Sequence, residues 1–114
     1  KCYDNKYLIT RSDIYSDKFD TISFVRPDIK VAEIPSFITK IGNFAFSSCP
    51  KLKKVIFAQN SKLEKIGIFA FSRSNIKSIS LPPKLIEIGE YAFEYSHLEH
   101  VEFQGDRVMQ IKNN

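Results

Sequence analysis

Residues 63–81, LEKIGIFAFSRSNIKSISL, decide the fold, because the chain says nearly the same thing on either side of them. Their centre, Phe69-Ala70-Phe71, recurs as Phe44-Ala45-Phe46 and as Tyr91-Ala92-Phe93, and a weaker copy lies at Ile22-Ser23-Phe24. The last ring of each copy falls at 24, 46, 71 and 93, giving spacings of 22, 25 and 22 residues. A period of this size is the mark of a solenoid, whose coils cannot bury an apolar face alone and do so against their neighbours.

Working outward, Ile29, Leu52, Ile76 and Leu98 align. Three residues later stand Ala32, Val55, Ile79 and Val101, then after two more Ile34, Phe57, Leu81 and Phe103. An apolar-x-apolar step is the period of a strand with one buried face, so each copy is expected to supply one short strand to a parallel sheet. Pro35 and Pro82-Pro83 end these strands, since proline has no amide hydrogen for a ladder. Next come Ile38, Leu63, Leu85 and Val108, then Ile41, Ile66, Ile88 and Ile111, with Gly42, Gly67 and Gly89 immediately after. A recurring glycine requires either positive φ or an approach too close for a Cβ. The following residues 43–46 are expected to form about one helical or 3₁₀ turn, alanine leaving room while the flanking rings fill the interior and stack. The second copy has one extra residue before its strand and two after it, within 58–62, which marks both places as loops.

The chain has 114 residues, enough for one domain with a modest core, and ten phenylalanines with no tryptophan fit one aromatic reused at equivalent positions. Residues 1–18 do not fit the repeat. Their pairs Tyr7-Leu8-Ile9 and Ile14-Tyr15 suit a short strand or hairpin covering the first coil, or else a spacer; residues 19–114 are the solenoid, about four repeats. Residues 108–114 begin another copy and stop where its aromatic centre is due, so the last coil reads as unfinished and self-association through it stays open. There is no apolar run of a length that spans a bilayer and no signal-peptide pattern at residue 1, so the chain is soluble or such segments lie outside it. Cys2 and Cys49 do not make a disulfide framework. Cys49 stands where other copies carry Ser74 and Ser96, a place for a small buried side chain, and reads as an inert core thiol.

The pattern L-x-x-I-x-L-P-x-x-L-x-x-I-G-x-x-A-F-x-x-S/C, written here by residues 76–96, resembles the BspA-like class of leucine-rich repeats. The resemblance covers residues 19–111; the first copy departs from it, with Asp20 in the glycine position and Ser23 for alanine. It implies an α/β fold, a right-handed β-α superhelix with short parallel strands lining one face and short helical turns. It also implies a surface or secreted protein engaged in adhesion and host-protein binding, and it carries no catalytic residue to transfer.

The residues themselves show no nucleophile motif, phosphate loop, HExxH or CxxC, and neither an enzyme, a cofactor nor a metal is expected. His97 and His100 straddle the turn into a strand, where no shared face joins them. Charge is more informative. The net of +4 hides two blocks: residues 51–84 hold eight basic residues and one acid, Glu64, whereas residues 85–105 hold five acids and no Lys or Arg. Alignment puts Lys30, Lys53, Lys77 and Glu99 at one position, Val31, Lys54, Ser78 and His100 at the next, and Glu33, Ile56, Ser80 and Glu102 in the outward slot of the strand. Strands in a ladder lie about 4.8 Å apart, so the lysines form a like-charge column, tolerated by splaying into water or serving as an anion-binding strip. The block lacks interleaved exposed aromatics and is followed by acids, which argues against nucleic acid. The expected function is a non-catalytic module presenting Lys53, Lys54, Ile56, Lys77, Ser78, Ser80, His100 and Glu102 to a protein or anionic glycan. The alternative is an intracellular (cytoplasmic) structural scaffold.

Overall fold

The structure, a computed structural model, describes residues 2–47, 49–105 and 110–111. Its coils each contribute two strands where the alternation in the sequence points to one. The L-x-L strands are β4 (Val31–Ile34), β6 (Lys54–Phe57), β8 (Ser78–Leu81) and β10 (His100–Phe103). The second set comprises β5 (Lys40–Ile41), β7 (Lys65–Ile66), β9 (Glu87–Ile88) and β11 (Gln110–Ile111), each of two residues and, in β5, β7 and β9, ended by the recurring glycine. A two-residue strand holds only one inward and one outward side chain, so it leaves no alternation to read.

The two-residue strands stack in parallel register, Lys40 on Lys65 on Glu87 on Gln110 and Ile41 on Ile66 on Ile88 on Ile111. The placement of Ile111 under the aligned isoleucines thus holds, while Val108 and residues 112–114 lie outside the described residues. At the other end β3 (Phe19–Val25) pairs with β5, and β2 (Tyr7–Arg11) and β1 (Cys2–Tyr3) continue the sheet in antiparallel fashion. Ile22 therefore matches Ile41, and Ser23 lies against Gly42. This corrects the first copy: Ile22-Ser23-Phe24 occupies the isoleucine-glycine positions, three residues before the aromatic centre, and Ser23, not Asp20, stands in the glycine place.

No helix occurs among the described residues, so the helical turns and the β-α detail are corrected. Phe44, Phe69 and Tyr91 have φ of 62°, 57° and 60°, in the left-handed region that a right-handed helix cannot contain. Ala45 N–H donates to Gly42 O at 3.2 Å, closing a type II turn with the aromatic in third place; Gly67 with Ala70 and Gly89 with Ala92 do the same at 3.3 Å. The amides a helix would direct inward along its own chain go to the next coil instead: Phe46 to Ala70 O at 2.8 Å and Phe71 to Ala92 O at 2.7 Å. Beside the two-residue strands the direction reverses, and Gly67 and Gly89 donate to the preceding coil at Ile41 O and Ile66 O, 2.8 and 2.7 Å. Of the two explanations for the glycines, close approach is the one found. A Cβ on Gly67 would lie 2.7 Å from Asn43 N and 2.8 Å from Gly42 C, and one on Gly89 2.7 Å from Gly67 C.

The core runs along the solenoid axis: Ile38, Leu63 and Leu85, then Ile41, Ile66 and Ile88, Ala45, Ala70 and Ala92, and one ring per coil. Only the second ring of each aromatic pair points inward. Phe46, Phe71 and Phe93 stack at 4.8 and 5.5 Å, and Tyr7 of the N-terminal hairpin meets Phe46 edge-on at 6.4 Å. Tyr7 Oη also donates to Glu33 O at 3.1 Å, fixing the hairpin to the first L-x-L strand. The first rings form an outer ladder, Phe44 on Phe69 on Tyr91 at 5.1 and 5.0 Å, with Phe44 57% exposed. The expectation that both rings fill the interior is thus half corrected: left-handed φ at the first ring swings its side chain out of the coil.

Candidate functional site

The L-x-L strands direct Ala32, Val55 and Ile79 inward, which leaves the alternate positions in water. Register brings the outward candidates together in pairs: Val31 beside Lys54, Glu33 beside Ile56, Ser78 beside His100 and Ser80 beside Glu102. Lys53, Lys54, Ile56, Lys77, Ser78, His100 and Glu102 are exposed and Ser80 half-buried. Ser80 donates to Glu102 Oε1 at 3.3 Å and accepts from the Gln104 side-chain amide at 2.8 Å. Among the described residues, Lys53, Lys54 and Lys77 take part in no ion pair.

The four strands do not form one ladder. β4 pairs with β6 and β8 with β10, but β6 and β8 are not joined. Two features of the third copy explain the break. At the other steps the residue after the strand donates back to the preceding coil, Ala58 to Ile34 O at 3.1 Å and Gln104 to Leu81 O at 3.0 Å. The corresponding residue here is Pro82, which has no hydrogen to give Phe57 O. At the start of the strand, Lys53 N donates to Lys30 O and Glu99 N to Lys77 O, whereas here Asn75, two positions earlier, takes Leu52 O at 2.9 Å. The extra residue at Pro50-Lys51 in the second copy puts the two connections out of step.

The expected column of three lysines at ladder spacing is therefore corrected. Lys30 and Lys53 are neighbours across a hydrogen bond, but Lys77 stands beyond the break. At the break lies a crevice of about 270 Å³, lined by residues of β6 and β8, Lys54, Ile56, Ser78 and Ser80 among them, and by Gln104. Beyond Phe57 and Gln104 it meets a hollow of about 610 Å³ between loops 57–62 and 82–84, where Lys62 and Lys84 stand. Sequence reasoning missed Gln104, Lys62 and Lys84. A partial signal lay in Pro82-Pro83 at the end of the third strand, where the second and fourth copies carry Ala58-Gln59 and Gln104-Gly105, but Pro35 ends the first strand too and the register was needed to give it meaning.

No group of three or more His, Cys, Asp or Glu that could hold a metal gathers among the described residues. Burial pushes the Cys49 thiol up to about 11, with a smaller contribution from Asp28, and its Sγ lies 3.8 Å from Arg26 O. Both cysteines are free, Cys49 buried and Cys2 exposed.

Compared with known proteins, residues 14–114 match the family model described as "BspA type Leucine rich repeat region (6 copies)". A search of curated proteins gave no match. Among solved structures, the chain is similar to the pneumococcal vaccine antigen PcpA, with 31% identity and a TM-score of 0.65 over 90% of this chain. The chain spans 24% of the length of that structure.

Proposed function

This chain belongs to the BspA-type leucine-rich-repeat family, and from that premise we propose that it is a non-catalytic binding module of a surface or secreted protein, presenting its L-x-L face to a protein or an anionic glycan. The observation that carries the reading is the exposed Lys53 and Lys54 with Lys77 across the break, none of them in an ion pair among the described residues, beside a crevice that holds Ser78, Ser80 and Gln104. The likeness to a vaccine antigen supports exposure to the outside of a cell. The hairpin of residues 2–11 serves as cover to the first coil, since Tyr7 closes the inner ring column that would otherwise meet water.

The test is binding of the chain to a glycan array and to extracellular-matrix proteins at two salt concentrations, with Lys53, Lys54 and Lys77 changed together to Ser alongside. Salt-sensitive binding that the triple variant loses is the expected result, because screening weakens contacts between exposed charges. Equal binding by both forms removes the lysine strip from the site. The free thiols favour a second reading, an intracellular scaffold, since reduced cysteines are the rule in the cytosol. The compartment of the full-length gene product separates the two.

A further inference from the structure

We propose that the break between β6 and β8 is a subsite for one carboxylated sugar ring of an acidic glycan. The proposal rests on the reading of this face as an anion-binding surface and adds the place and the chemistry. Size comes first. The crevice of about 270 Å³ lies just below the range of about 300–1,000 Å³ typical of ligand pockets, which suits one small ring. An inserted peptide strand would need two ladder spacings, about 9.6 Å, between its neighbours. Cα atoms of β6 and β8 come within 8 Å of each other, which excludes a strand between them; the ring is seated over the crevice, against the side chains that line it. Along the strands, the four residues of β6 span about 10 Å, room for a ring with its exocyclic groups.

The lining fits the same ligand. Lys54 begins β6 opposite the start of β8 and offers a charge-assisted bond to a carboxylate. Toward the other end the linked Ser80 and Gln104 supply donors and acceptors for hydroxyls, and Ser80 is in turn held by its bond to Glu102 on β10. Ile56, 40% exposed, gives an apolar patch for the C–H face of the ring. A chain leaving the crevice past Phe57 and Gln104 enters the larger hollow, where Lys62 and Lys84 meet the next negative charges.

The test is an amide-resolved NMR titration of the chain with glucuronic acid, with glucose as the neutral counterpart. The expected result is saturable shifts concentrated on residues 54–57, 78–81 and 104, with glucose at least about tenfold weaker for want of one charge-assisted bond. Pro82→Ala supplies the missing amide to Phe57 O, draws the strands together and should weaken glucuronate about tenfold or more, with the amide at position 82 protected from exchange. Ser80→Ala with Gln104→Ala leaves the backbone alone and should weaken it similarly, which keeps the test decisive if Pro82→Ala disturbs folding. Lys53→Ser with Lys77→Ser, outside the crevice, should weaken array ligands and leave the glucuronate shifts in place. Glucuronate shifts absent from the crevice, or unchanged in a folded Pro82→Ala variant and in the double variant, overturn the subsite. If array binding survives at the same time, the wider reading of the face stands.

Discussion

At the residue scale, two aromatic positions one residue apart on either side of an alanine have opposite fates, and substitution should separate them. Phe71 is fully buried between Phe46 and Phe93, so Phe71→Ala is expected to cost about 3–5 kcal/mol in chemical denaturation. Phe44→Ala, in the outer ladder and mostly exposed, should cost about 1 kcal/mol, the scale of one stacked pair. The sequence could not tell these rings apart, because the aromatic-Ala-Phe spacing fits an inward pair as well as an alternating one, and left-handed φ leaves no mark on a phenylalanine. Cys49 was legible, since the serines at its equivalents define a small buried site. A raised thiol pKa carries a definite sign. Between the ordinary thiol value and about 11 the unfolded chain loses this proton and the folded one keeps it, so the contribution to stability is full below that window and falls as pH rises through it. Burial likewise raises Tyr7, which extends the loss to higher pH. Melting temperature should therefore drop progressively above about pH 9, and less so in Cys49→Ala. In the native chain a thiol reagent should modify Cys2 quickly and Cys49 only on unfolding.

Among the elements, the turn is where reading and structure part. The L-x-L strands, their inward residues and their parallel pairing follow from the recurring apolar-x-apolar spacing of Val55 and Phe57 or Ile79 and Leu81. The turn does not, because the competing helix has equally good residues; what decides is that Phe46 and Phe71 find carbonyl partners on the next coil. The glycine that precedes the turn is held by contact across coils. Gly67→Ala would force a methyl to within 2.8 Å of the backbone of Asn43 and Gly42, and both are fixed by the same stack. Overpacking of this kind is expected to cost about 1–3 kcal/mol, read as a lowered denaturation midpoint with an unchanged slope. The broken ladder was the other illegible element. Its cause, Pro82 in a donor position, is plain in the sequence, but which residue donates at a strand end is known only once the register of neighbouring coils is fixed.

For the whole molecule, the period of about 22 to 25 residues was enough to establish stacked coils, because repetition constrains every copy at once. The candidate face was legible in its ladder positions and not in its geometry: alignment placed Lys53 and Lys77 side by side, and the structure sets them on either side of a break. That separation relieves repulsion within a chain of net charge +4, and each lysine is exposed. Changing Lys53, Lys54 and Lys77 to Ser should accordingly alter stability by no more than about 0.5 kcal/mol, tending upward at low salt; a large loss would show them to be structural. The hydrogen bonds between coils have a further consequence. In an α-helix every bond points the same way and the peptide dipoles add into partial charges at the ends. Here the turns donate forward along the axis while the residues beside the two-residue strands donate backward, so the two edges of each coil oppose one another electrically. Adding coils to such a stack therefore builds less axial polarity than adding turns to a helix, since part of each coil's backbone field offsets the rest.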